Sequence, residues 1–132
     1  MEHDDEVQDH LHLSAEFLRS ARRDVRDGLY APARFSMLQA LELALKAALM
    51  ARTRTASESW VTHNVHGPFG RHFRGAVPEP DLARVSRLIQ EYGKSRYPDW
   101  AAPSAARLED DLAFIARVVK ETVPRLVLEA GP

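Results

Sequence analysis

Apolar residues recur at helical spacing along nearly the whole chain. Val7, Leu11, Leu18, Ala21 and Val25 fall at steps of three, four or seven, which predicts a first amphipathic helix from about 7 to 27, with Gly28 as its stop. Pro32 suits the opening turn of a second helix, where a missing N–H costs little. Its apolar stripe of Phe35, Leu38, Leu41, Leu45 and Leu49 carries that helix to about 52. A polar run from Thr53 to Ser59 predicts a loop over 53–62. Thr62 then reads as the N-cap of a short helix over 63–73, started or kinked by Pro68 and closed by the stretch from Gly75 to Pro80. Asp81 opens a further helix with Leu82, Val85, Leu88, Ile89 and Tyr92 facing inward, and Gly93 weakens its end. Pro98 disfavours a helical Tyr97, so residues 96–100 form a rigid connector. Ser104 caps the last long helix, which carries Leu108, Leu112, Ile115, Val119 and Val123 on one face and is kinked by Pro124.

No segment alternates as a strand would. Amphipathic helices cannot bury their stripes singly, so the expected fold is all-α, an antiparallel up-and-down bundle of four to five helices. With 132 residues the chain suits one domain over 1–132, and the acidic residues 1–9 are expected to form a flexible tail. Absence of cysteine excludes disulfides and thiolate chemistry. The longest apolar stretches are interrupted by Lys46, Arg52 or Arg117, which leaves no membrane span. Glu2, Asp4, Asp5, Glu6 and Asp9 make the start acidic, the reverse of a signal or transit peptide, so the expected address is cytoplasmic.

The net charge of −1 conceals an asymmetry: five of the 19 acids lie in residues 1–9, leaving 18 bases against 14 acids in the remainder. The stretch 52–96 holds Arg52, Arg54, Arg71, Arg74, Arg84, Arg87, Lys94 and Arg96, with His63, His66 and His72 among them. This is a mild basic bias, short of the stripe of a dedicated nucleic-acid binder.

Three constellations carry candidate chemistry. Gln39, Glu42 and Lys46 share one face of the second helix. They are either a solvated i,i+4 pair with a neighbour or the lining of a cleft or dimer seam. His63 and His66 lie three residues apart at a helix start, as structural histidines or as contacts for an anion or nucleotide. Their spacing matches no zinc signature, and no metal or cofactor is implied. In Arg96-Tyr97-Pro98-Asp99-Trp100, the arginine offers a fork for phosphate, and Tyr97 and Trp100 offer stacking faces for a base. Alternatively the two rings close one end of the bundle while Arg96 pairs with Asp99. The acidic run Glu109-Asp110-Asp111 reads as a complement to the dipole of the last helix.

Taken in order, these segments resemble the HEPN superfamily over about residues 15–125. The opening helix around Phe17 to Val25, the Gly28 turn, the Gln-Ala-x-Glu-x-x-x-Lys pattern at Gln39 to Lys46, the Thr62-His63 pair and the Arg-Tyr-Pro-Asp text at 96–99 carry the likeness. The resemblance implies a HEPN-like helical bundle that forms a homodimer. It further implies a partnership with a minimal nucleotidyltransferase in a toxin–antitoxin-like module. Active members are metal-independent ribonucleases with an Arg-x4-6-His motif, in which the histidine handles the proton of 2′-hydroxyl attack. Counting from Arg96, those spacings reach Ala101, Ala102 and Pro103, none of which transfers a proton. The expectation is therefore a non-catalytic homodimer binding a nucleotide, RNA or a partner protein. The alternative is a ribonuclease toxin that uses Arg96 with a non-standard base, His63 or His66.

Overall fold

The computed structural model describes residues 2–94 and 104–131, the side chains of Glu2 and of 92–94 excepted. Helix α1 (Glu2–Arg26) and helix α2 (Tyr30–Thr53) form an antiparallel hairpin about a short turn. Gly28 adopts φ +77° there, a conformation glycine enters without the cost a side chain imposes. A 3-10 turn (Ser57–Trp60) leads to α3 (His66–Phe73) and α4 (Glu79–Lys94). Helix α5 (Ala105–Arg117), a π turn (Val118–Thr122) and α6 (Val123–Ala130) follow without a break. The protein is an all-α bundle, and among the described residues there is no strand.

Helix α2 is the axis of the bundle. Leu38, Leu41, Leu45 and Leu49 are buried as the stripe predicts, but so are Ala40, Leu43, Ala44, Ala47, Ala48 and Met50 on its other faces. Helix α1 packs along α2, and α3, α4, α5 and α6 cover the rest. A helix apolar all round is one enclosed by neighbours. In the α1–α2 seam Ser14, which falls in the gap of the Leu11–Leu18 stripe, donates its hydroxyl to the Ala40 carbonyl at 2.6 Å.

Several expectations are corrected. Residues 2–9 are no tail: they form the first turns of α1, with Val7 buried against Ala47, Met50 and Ala51. His3 Nε2 bonds the Met50 carbonyl oxygen at 2.7 Å, and Glu6 accepts the Ser57 N–H at 3.0 Å. His3 and Glu6 therefore fasten the start of α1 to the far end of α2 and to the 3-10 turn. Phe35, expected in the core, is 44% exposed, and its neighbour Arg34 lies inside instead, 1% exposed. Ser104 does cap α5, accepting the Arg107 N–H at 3.3 Å. Pro124 produces a π turn: its ring would crowd the Lys120 carbonyl in a regular helix, and the wider turn, with Val123 N–H bonded to the Val118 carbonyl, relieves that clash.

The buried Arg34 guanidinium donates to Asp111 of α5 at 2.6 Å and to Glu91 of α4. Arg84 of α4 reaches Asp111 and Asp110 at 3.2 and 2.6 Å, and Arg107 of α5 reaches Glu91 at 2.8 Å. Asp111, assigned above to the helix dipole, is thus a buried acceptor of a network across three helices. Arg84 also stacks over the Phe114 ring at 4.6 Å from its centroid. An exposed fork from Arg117 to Asp81 adds a second α5–α4 tie at 3.0 Å, and that hydrogen bond raises the Arg117 pKa.

Removing one member of a buried pair strands the other charge. Arg34→Ala is expected to cost about 3–5 kcal/mol in urea unfolding. Arg125→Ala, which breaks the exposed Arg125–Glu129 pair, is expected to cost less than about 1 kcal/mol in the same measurement.

Candidate functional site

The polar triad of α2 does not lie on a solvated face. Glu42 is 2% exposed, hemmed in by the leucines and alanines that enclose the helix. A carboxylate cannot stay ionised in such a place without partners. Lys46, one turn along α2 and itself largely buried, puts Nζ 3.4 Å from Glu42 Oε2. The second partner comes from the loop after α2: His63 Nδ1 is 2.7 Å from Glu42 Oε1. Gln39 stands one turn before Glu42, half-buried.

The loop is shaped by local hydrogen bonds. Arg54 takes a left-handed conformation, φ 58°, and ends α2. Trp60 Nε1 donates to Thr55 Oγ1 at 2.8 Å, and Thr55 Oγ1 is also bonded to Thr53 Oγ1 at 2.7 Å. Thr62 Oγ1 accepts the Asn64 N–H at 3.1 Å. Thr62 is therefore a turn residue around His63 and not the N-cap of α3, which starts at His66 after Val65. These bonds return the chain to α2, where the imidazole meets Glu42. The His63 side chain is 52% exposed, so the cluster runs from a buried carboxylate to a ring in contact with solvent.

Chemically, a carboxylate on Nδ1 orients the ring and favours the tautomer with its proton on Nδ1. Lys46 adds positive charge beside it. Such a set can hold an anionic group at the imidazole or move a proton through it.

Of the residues singled out in the sequence, Gln39, Glu42, Lys46 and His63 are thus brought to one place. His66 is not part of it; it lines a cleft between α3 and α4. Arg96, Tyr97, Asp99 and Trp100 lie outside the described residues, as does the connector they were read as forming. No group of three His, Asp or Glu residues among the described ones is arranged to hold a metal ion.

The model of the HEPN domain matches residues 7–126. The chain belongs to the HEPN family. No curated protein matches it, and no solved structure does. Within this HEPN domain, Glu42 and Lys46 stand in the Gln39–Lys46 pattern, and His63 follows in the Thr-His pair. Their meeting across the α2–loop boundary gives that sequence pattern a spatial reason. No helix of the described residues is long and apolar enough to cross a membrane.

The buried Glu42 makes the tautomer checkable. Neutral His63 is expected to carry its proton on Nδ1, seen in two-bond proton–nitrogen correlation spectra. Glu42→Ala should return it to the mixture of an exposed histidine, mostly protonated on Nε2.

Proposed function

We propose that this HEPN domain binds the phosphate of a nucleotide or RNA at the Gln39–Glu42–Lys46–His63 cluster, as a homodimer and without efficient catalysis of its own. The observation that carries the reading is the half-exposed His63 ring held by a buried carboxylate with Lys46 alongside. With its Nδ1–H on Glu42, the ring in its imidazolium form would donate Nε2–H to a phosphate oxygen, and the Lys46 ammonium adds positive charge alongside. Arg96, Tyr97, Asp99 and Trp100 would add the phosphate fork and the stacking faces their residue types offer. The homodimer, the nucleotidyltransferase partner and the toxin–antitoxin-like setting rest on the family likeness.

Titration with ATP and with a short RNA tests the binding. His63→Ala, Lys46→Met and Arg96→Ala are each expected to weaken it about tenfold or more, the value of one charge-assisted hydrogen bond. Absence of binding below millimolar concentration, or variants that bind as the parent does, would sink the reading. Light scattering at tens of micromolar should give the mass of a dimer; a monomer at that concentration overturns that part.

One observation favours a second reading, a metal-independent ribonuclease. Glu42 on Nδ1 fixes the half-exposed His63 ring and leaves Nε2 as its other nitrogen, the placement that a base replacing the motif histidine requires. RNA cleavage in the presence of a chelator, abolished by His63→Ala and by Arg96→Ala, would establish it. No cleavage by the parent protein removes it.

A further inference from the structure

Helices α3 and α4 enclose a cleft of about 330 Å³ that the cluster at Glu42 does not share. Its lining includes small residues, Gly67 and Gly70 on α3 and Ala83 on α4. At Ala83 and Ser86 it adjoins a second hollow of about 270 Å³, bordered by Arg87, Gln90 and Glu91. Together they form a groove along α4.

The charges along this groove do not cancel. Arg74 is paired with Glu79 at 3.3 Å, and Glu91 is taken up by Arg34 and Arg107. Arg71 on one hollow and Arg87 on the other have no acidic partner among the described residues. His66 lines the first hollow, and its Nδ1 is out of water without a hydrogen-bond partner among the described residues. Two guanidiniums without acidic partners among the described residues, along adjoining hollows, match a ligand that carries more than one anionic group.

We propose that the α3–α4 groove is a second phosphate track, in which Arg71 and Arg87 take successive phosphodiester groups of a single-stranded nucleic acid. The ligand of the domain is then a polynucleotide and not a mononucleotide. This rests on the reading of the domain as a phosphate-ligand binder, but it places the contacts on different residues.

Fluorescence anisotropy with a labelled uridine oligomer of about twelve nucleotides, its deoxy counterpart and ATP tests the groove. The double variant Arg71→Glu, Arg87→Glu is compared with Arg22→Glu, Arg23→Glu, an equal charge change on α1; circular dichroism checks that both are folded. The groove variant is expected to weaken oligomer binding at least tenfold and flatten its salt dependence by about one to two charges, leaving ATP unchanged. The α1 variant should shift oligomer binding less than threefold. Equal loss on the RNA and DNA strands supports backbone contact, and loss on RNA alone supports a track that also reads the ribose. Equal effects of the two double variants, or a parent protein that binds ATP but neither oligomer, overturn the track and leave the proposed function standing. Oligomer binding lost in the groove variant but kept in His63→Ala and Lys46→Met keeps the track and removes the proposed site.

Discussion

A guanidinium sealed inside a helical bundle is tolerable only if its carboxylates are in place, and that condition organises this molecule. Arg34 enters the core at the start of α2 and must find Glu91 on α4 and Asp111 on α5 at once. Arg84 and Arg107 reach the same two acids from outside, and with Asp110, which Arg84 also holds, three arginines face three carboxylates. Apolar packing brings the helices together without fixing their register closely. Directed bonds from one buried fork to two helices supply that register. Glu91 and Asp111 also flank the segment carrying Arg96, so the helices on either side of it are set by the same fork.

The same physical rule shapes the candidate site. Glu42, like Arg34, is an ionisable group buried on α2, and it too is matched by partners of opposite character. The difference lies in where the partner chain leads. From Arg34 the ion pairs run between helices and stay structural. From Glu42 they run through a turn to a ring that solvent reaches. One helix thus carries a structural charge near its start and a chemically available one farther along.

Most helices were legible because their apolar residues recur at helical spacing, and Ser104 was legible because a cap is a local bond. What was not legible depended on partners distant in sequence. The apolar Phe35 outranked Arg34 by hydrophobicity, and only the convergence of Glu91 and Asp111 reverses that order. The acids of residues 2–9 suggest solvent, yet Val7 and the bonds to Met50 and Ser57 hold them in a helix. The start of α3 was misplaced because Thr62 has the chemistry of a cap, which a tight turn also uses. For the site, the helical period put Gln39, Glu42 and Lys46 on one face, and the HEPN pattern drew attention to His63. That Glu42 and His63 touch is a contact across a loop, and no periodicity encodes it.

The enclosure of α2 has a consequence for how the chain reaches this state. Stripped of its neighbours, α2 is a rod of leucine, alanine and methionine with almost no polar face to offer water. An intermediate lacking even one of the covering helices would present that rod to other molecules and self-associate. The surrounding helices must therefore close on α2 almost together if that surface is to stay out of water.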